Sequence, residues 1–278
     1  MKRAKADEDD NFVYELPEQQ RQRRTVRPRR GCADREGAIS ELVRAMRDAK
    51  GDVVFFTGAG ISKAAGIPTY RGDEGVYTLK AAGLQIPQFP DLSKLAPTAA
   101  HRAIADLISR GVARGVITTN VDGLHRGSGV IEIHGSRFWE VCDNCENRVV
   151  RDYDVVRRAA GADERVSALM GSKGSKNIPT GNACEKCGVG RMMTGVVHPN
   201  AEVPNDKFDA ATAMARGAQL AIVCGASFAS DFVVRAASLA TKIAILNTEP
   251  TDMAKRRRVA FVICDDVQKT VPELSTLV

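Results

Sequence analysis

The sequence predicts an α/β fold: a parallel sheet with helices on both faces, interrupted by a small metal-stapled module. Three observations carry this. Short apolar runs alternate with stretches of helical period along most of the chain. The first such run, Asp52-Val-Val-Phe-Phe-Thr57, ends in a glycine turn, Gly58-Ala-Gly60. Four cysteines form two Cys-x-x-Cys pairs, Cys142/Cys145 and Cys184/Cys187, in a stretch from Trp139 to Gly195 that breaks the alternation.

The elements follow in order. Residues 1–35 read as a disordered tail, acidic then basic. Ile39, Leu42, Val43 and Met46 fall on one face of a first helix beginning near Glu36. Asp52–Thr57 is short, apolar and β-branched, as a strand buried on both faces should be. A brief helical stretch is expected after Gly60, ending at Gly66-Ile-Pro68. Thr98 can cap a helix running to about Arg110, with Gly111 just past its end. Further strands are expected over 115–119, 219–225, 242–247 and 260–264, with helices over 208–216 and 231–241. The division this implies is a tail (1–35), a main domain in two pieces (36–138 and 196–278), and a metal module (139–195).

Bulk properties narrow the function. The 278 residues are 44% hydrophobic and 27% charged, ordinary for a globular chain. No apolar run approaches the roughly 18 residues that span a bilayer, and residues 1–10 hold no apolar secretory core, so no membrane role is expected. In the reducing compartment this implies, paired cysteines are metal ligands rather than disulfides. Cys224 and Cys264 lie in apolar runs and read as buried small residues. The formal net charge is +6, and residues 21–30 alone carry six arginines and no acid. That arm suits contact with nucleic acid or chromatin, or a nuclear address; a solvated arm without a partner is the blander reading.

Glycines at 58 and 60, after a strand and before a helical turn, would let backbone amides approach a pyrophosphate. Alone this is a weak signal, because Lys63 stands where the usual dinucleotide fingerprint has its third glycine. Four thiolates closing a tetrahedral shell leave no open position, so the metal should be one structural zinc ion. His134, taken alone, reads as a structural histidine.

Read together, the segments are more specific. Gly58-Ala-Gly-Ile-Ser62, Gly66-Ile-Pro-Thr-Tyr-Arg-Gly72, Thr119-Asn-Val-Asp-Gly-Leu-His125, Glu132-Ile-His-Gly135 and the cysteine pairs occur in one order. Gly225-Ala-Ser227 and Asn247-Thr-Glu-Pro250 follow. This order resembles the sirtuin family over roughly residues 37–270, and Gly75-Val-Tyr-Thr-Leu79 looks most like its nuclear class IV branch. The resemblance implies a Rossmann-like sheet with a zinc-binding module, and an NAD-dependent protein lysine deacylase. The acyl group would pass to ADP-ribose with release of nicotinamide, the substrate being an acylated protein such as a histone. It implies that Gly58, Ala59, Gly60, Ser62, Thr69, Tyr70, Arg71, Thr119, Gly225, Ser227, Asn247 and Glu249 line the NAD site. It also implies that Asn120 and Asp122 hold the nicotinamide ribose and its pocket, and that His134 is the general base. An imidazole suits that proton transfer near neutral pH. Localisation would be nuclear, otherwise cytoplasmic.

Three departures bear on activity. Thr69 stands for the family's Asp and Thr119 for its Gln, each shorter. A lost hydrogen bond of this kind costs about 0.5–1.5 kcal/mol. Val196-Val-His-Pro-Asn-Ala-Glu202 replaces Val-Val-x-Phe-Gly-Glu in the peptide groove, and Pro199 offers no backbone N–H to an added strand. Two other readings therefore stand beside deacylation: protein mono-ADP-ribosyl transfer, and a catalytically weak NAD-binding chromatin or scaffold module.

Overall fold

The computed structural model describes residues 34–161 apart from 71, 73 and 86, then 177–197, 203–226, 231–249, 251, 254 and 258–278. The arginine-rich segment, Arg71, Ser227, the Gly171–Lys176 stretch and the Pro199 segment lie outside them.

The chain opens with α1 (Arg35–Asp48), capped by the Asp34 carboxylate, which accepts from the Gly37 amide at 2.9 Å. Its buried face is Ile39, Leu42, Val43 and Met46, as the periodicity predicts. Strand β1 (Val53–Thr57) leads into a 3-10 turn (Ala59–Ala65) that stops at Gly66, a left-handed residue. There follow α2 (Val76–Ala81), α3 (Ala99–Ser109), β2 (Gly115–Thr118) and β3 (Val130–Glu132). The irregular stretch becomes β4 (Gly135–Cys142), β5 (Arg148–Val150), α4 (Val155–Ala160), β6 (Pro179–Ala183) and β7 (Arg191–Val196). The alternation resumes with α5 (Asn205–Ala215), β8 (Leu220–Cys224), α6 (Asp231–Ala237), β9 (Lys242–Asn247), β10 (Val259–Cys264) and α7 (Val267–Leu277).

Six strands form one parallel sheet in the order β10-β9-β8-β1-β2-β3. Alternation along each strand divides the core between two faces. Phe55, Val116, Ile222 and Leu246 pack under α1, α3 and α7, whereas Phe56, Ile117, Val223 and Ile245 pack under α5 and α6. The order reverses between β1 and β8, so the loops leaving their carboxyl ends diverge and open a crevice there.

At that reversal the backbones of the two loops touch. The Gly60 amide donates to the Gly225 carbonyl at 2.8 Å. A β-carbon on Gly225, whose φ is +57°, would fall 2.6 Å from the Ile61 nitrogen and 2.8 Å from the Gly60 carbonyl carbon. Gly60 and Gly225 thus serve each other as well as any ligand. Gly225→Ala is expected to cost about 2–4 kcal/mol, from an unfavourable φ plus a backbone clash. Urea unfolding would measure it, and a loss below about 0.5 kcal/mol, the range of ordinary surface changes, would contradict the packing.

The last helix, α7, is not among the elements expected above, and it carries Pro272 inside it. Val267, Val271 and Leu274 bury its inner face. Its Gln268 Nε2 donates to the Ile61 carbonyl at 2.8 Å while its Oε1 accepts from the Ala100 amide at 3.1 Å, fastening the 3-10 turn to α3.

The second sheet, β5-β4-β7-β6, is antiparallel. Its own core is small: Cys142, Cys184 and Met192 are the buried members, with Cys145, Val149 and Cys187 packed against them. Two polar contacts brace its segment, one internal and one to helix α5 of the main domain. Arg137 grips Asp154 with bonds of 2.8–3.1 Å, both side chains being 3% exposed or less. The Arg148 guanidinium and the Lys207 ammonium of α5 both lie over the Trp139 ring, 4.5 and 4.7 Å from its centre. Cys224 is fully buried, as predicted. Cys264 differs: it is half-buried and disulfide-bonded, with its partner outside the described residues.

Candidate functional site

The crevice collects the polar residues of three loops. From the 3-10 turn, the buried Ser62 hydroxyl donates to Asp122 Oδ2 at 2.7 Å. From the loop after β2, Asn120 Nδ2 donates to both the Gly58 carbonyl and Ser62 Oγ at 3.1 Å. The Leu124 amide closes a turn on Asp122 Oδ1 at 2.9 Å. Burial pushes the Asp122 carboxyl above the ordinary range, while the Ser62 and Leu124 hydrogen bonds hold it back. Ser62, Asn120, Asp122 and the glycine turn thus form one bonded cluster beside a cavity also lined by Ile67, Tyr70 and Val196. Burial, then the neighbouring Tyr77, pushes Tyr70 up to about 12, so it stays neutral.

His134 follows β3. Its backbone carbonyl accepts from the Val197 amide at 2.8 Å, and its Nδ1 lies 3.2 Å from the Thr119 carbonyl. A carbonyl only accepts, so Nδ1 carries the proton and Nε2 keeps a lone pair. Burial lowers the imidazole below its ordinary value, partly opposed by that hydrogen bond. The side chain is therefore a neutral base at neutral pH, with its tautomer fixed. Two residues earlier, Glu132 is pushed up to about 7 by burial and then by Asp122. Nothing in the Glu132-Ile-His-Gly135 motif signals this shift. Thr119 Oγ1 donates to the Thr57 carbonyl at 3.3 Å, so this hydroxyl supports the loop it sits on. Asn247 turns inward on its own loop, its Nδ2 donating to the Glu249 carbonyl at 3.1 Å. The structure does not bring Asn247 or Glu249 into hydrogen bonding with the Ser62 cluster among the described residues.

Behind the glycine turn lies a pair of histidines. The His101 and His125 rings are 4.5 Å apart, and both residues are buried. His125 Nε2 meets Thr57 Oγ1 at 2.8 Å; His101 Nδ1 accepts the Thr98 amide at 3.3 Å, and its Nε2 has no partner among the described residues. Burial pushes His101 down to about 4 and His125 to about 3. Both depressed values favour the neutral form in the fold, so their contribution is complete above about pH 6.5. As pH falls below that value the unfolded chain takes up protons the fold refuses. Stability should drop by about 1.4 kcal/mol per pH unit for each imidazole, continuing toward pH 4. Urea unfolding at pH 7.5 and 5.5 checks the slope against a His101→Phe/His125→Phe chain, and an equal slope in both would contradict it.

The four paired cysteines converge. Their sulfurs all lie within 4.8 Å of one another, with Cys142–Cys187 and Cys145–Cys184 separations of 3.7 Å. A tetrahedral ion bound to sulfur at about 2.3 Å sets its ligands about 3.8 Å apart, so the set fits zinc. Backbone amides lower the Cys187 and Cys184 thiols toward the thiolate a metal needs, while burial and the neighbouring sulfurs raise Cys145.

Comparison with known proteins places this architecture. The Sir2 family model matches residues 84–231. The chain belongs to the Sir2 family. It is 36% identical to the human NAD-dependent protein deacetylase sirtuin-7 over 203 residues, 69% of this chain and 46% of that protein. Identity to rice (Oryza sativa subsp. indica) SRT1, also named an NAD-dependent protein deacetylase, is 31% over 244 residues, 84% of this chain and 46% of that protein. The class IV branch expected from the motifs agrees with the sirtuin-7 relatives. The chain spans about half the length of these relatives. Among solved structures, a Sir2 homologue mutant in complex with ADP-ribose superposes with a TM-score of 0.63 at 22% identity, covering 85% of this chain and 95% of that one. Another Sir2 enzyme gives 0.62 at 25% identity, covering 87% and 98%. The Sir2 fold, a Rossmann-like sheet with a smaller cysteine-bearing module, is the fold of this chain.

Proposed function

We propose that this Sir2 protein is an NAD-dependent protein lysine deacylase. One observation carries the reading: Ser62 of the 3-10 turn is bonded to Asn120 and Asp122 of the loop after β2, and on that second loop the Thr119 carbonyl fixes the His134 tautomer. The names of sirtuin-7 and SRT1 as NAD-dependent deacetylases support it, as does the solved complex of a Sir2 protein with an acetylated peptide. Bound NAD would supply the sugar carbon from which nicotinamide leaves and the ribose hydroxyl that receives the acyl group. Around it, the Ala59, Gly60 and Ser62 segment would hold the pyrophosphate end, and Asn120 with Asp122 the nicotinamide ribose. His134 Nε2 would take the proton from the ribose hydroxyl. Ile67, Tyr70 and Val196 would exclude water from the cavity.

The finer assignments belong to the same proposal: residues 139–195 as the zinc-binding module, Thr69, Gly225, Asn247 and Glu249 within the cofactor site, an acylated histone as substrate, and nuclear residence with the arginine-rich arm on nucleic acid. A second reading, ADP-ribosyl transfer to protein, is favoured by the sequence at Pro199, which offers no backbone N–H where the family resemblance implies an added peptide strand. NAD labelled in its adenylate half separates the two. With an acyl-lysine peptide present, deacylation sends the label into a small acyl-ADP-ribose product. Label retained on protein would overturn the first reading in favour of the second.

A further inference from the structure

A second cleft lies on the far side of the Arg137–Asp154 pair, between the loop entering α3 and helix α4. Its volume is about 370 Å³, and its polar walls are Asp91, Ser93, Tyr153, Asp154, Arg157 and Arg158. That is the lower end of the range for small-molecule sites. Its charges are unevenly matched. Both carboxylates are already engaged. Asp91 accepts from the Ser93 amide and hydroxyl at 3.1 and 2.6 Å and pairs with Lys94 at 3.7 Å. Asp154 is held by buried Arg137 and accepts the Arg157 amide at 3.0 Å. The two guanidiniums are less engaged: Arg157 helps lower the Asp91 carboxyl electrostatically, without a direct ion pair. Among the described residues, neither Arg157 nor Arg158 forms a side-chain ion pair. Arg158 is stacked 3.5 Å above the Tyr153 ring, which limits its freedom before any ligand arrives.

We propose that this cleft is an anion site for a small phosphate-bearing ligand, held by Arg157 and Arg158. Two planar guanidiniums lining one cleft suit the oxygens of a phosphate group, and using charges already present avoids the cost of creating one. Stacking on Tyr153 reduces the entropy lost when Arg158 binds. The site is independent of the deacylase reading. None of its ligand-facing side chains belongs to the Ser62–Asp122 cluster; it shares with the cavity the Arg137–Asp154 wall and the Asp91–Ser93 stretch, whose Leu92 faces the cavity.

Calorimetric titration of the full zinc-loaded chain in chloride buffer tests it, using inorganic phosphate and AMP as probes with ADP-ribose present in excess. The expected result is saturable binding of one equivalent, weakened at least tenfold in an Arg157→Gln/Arg158→Gln chain. That chain should keep the wild-type melting temperature and the wild-type rate of nicotinamide release. AMP binding tighter than phosphate would mark the ligand as a nucleotide; equal affinity would mark the phosphate group alone. No saturable binding, or equal binding by both chains, would overturn the proposal. If the chain has no deacylase activity, the difference between wild type and double variant still decides the anion site.

Discussion

Replacing His134 by Tyr or Phe is expected to lower acyl-peptide-dependent nicotinamide release by about 10²–10⁴-fold, the contribution of a positioned base. NAD binding, measured by calorimetry, should change little, because the ring's hydrogen bond goes to the Thr119 carbonyl and the Ser62–Asn120–Asp122 cluster does not include it. The pH dependence has a definite sign. Burial lowers His134 below its ordinary value, so the neutral base persists as pH falls through about 6.5, and the acid limb of turnover should lie below it. Unchanged turnover in the variant would remove His134 from the mechanism.

Removal of the metal should have the second large effect. Cys142, Cys184 and Met192 are the buried members of the second sheet's own core, too few to hold four short strands without a staple. Binding of a structural zinc ion is worth roughly 10–16 kcal/mol in small zinc modules, and it is folding energy. Chelation, or Cys184→Ser, should therefore melt the sheet from Gly135 to Val196 while the parallel sheet survives. Hydrogen exchange would show protection lost from β4 and β7 and retained in β1 and β8. The loss should reach the site, because the Val197 amide, just past β7, bonds to the His134 carbonyl. Metal analysis should find about one zinc per chain, matching one four-thiolate shell. A metal-free chain with all of β4–β7 protected would contradict this account.

The parallel sheet was legible because β1, β2, β8 and β9 are buried on both faces and so stand out as short apolar runs. The second sheet was not. β5 and β6 are largely exposed, with Thr180, Asn182 and Gly181 where a strand pattern would show apolar alternation. Nor was helix α7, which carries Pro272 inside it. At the site, motif order led to Ser62, Asn120, Asp122 and His134, which the structure joins through hydrogen bonds and a shared loop. It could not show that Gly60 abuts Gly225, since that contact joins loops from strands far apart in sequence. Nor could it show Gln268 reaching Ile61, or the Arg137–Asp154 joint. These depend on where helix α7 and helix α4 dock, and an isolated Gln or Arg in a sequence carries no sign of its partner. Cys264 was misread for the same reason: an apolar run says nothing about a distant thiol.

The most direct test of the central claim is the product balance from NAD and a mixed acyl-lysine peptide library, read by mass spectrometry. The account predicts nicotinamide, deacylated peptide and acyl-ADP-ribose in equal amounts for at least one acyl chain. Nicotinamide released while every acyl group stays on its peptide, or NAD bound with no nicotinamide released across the library, would contradict it.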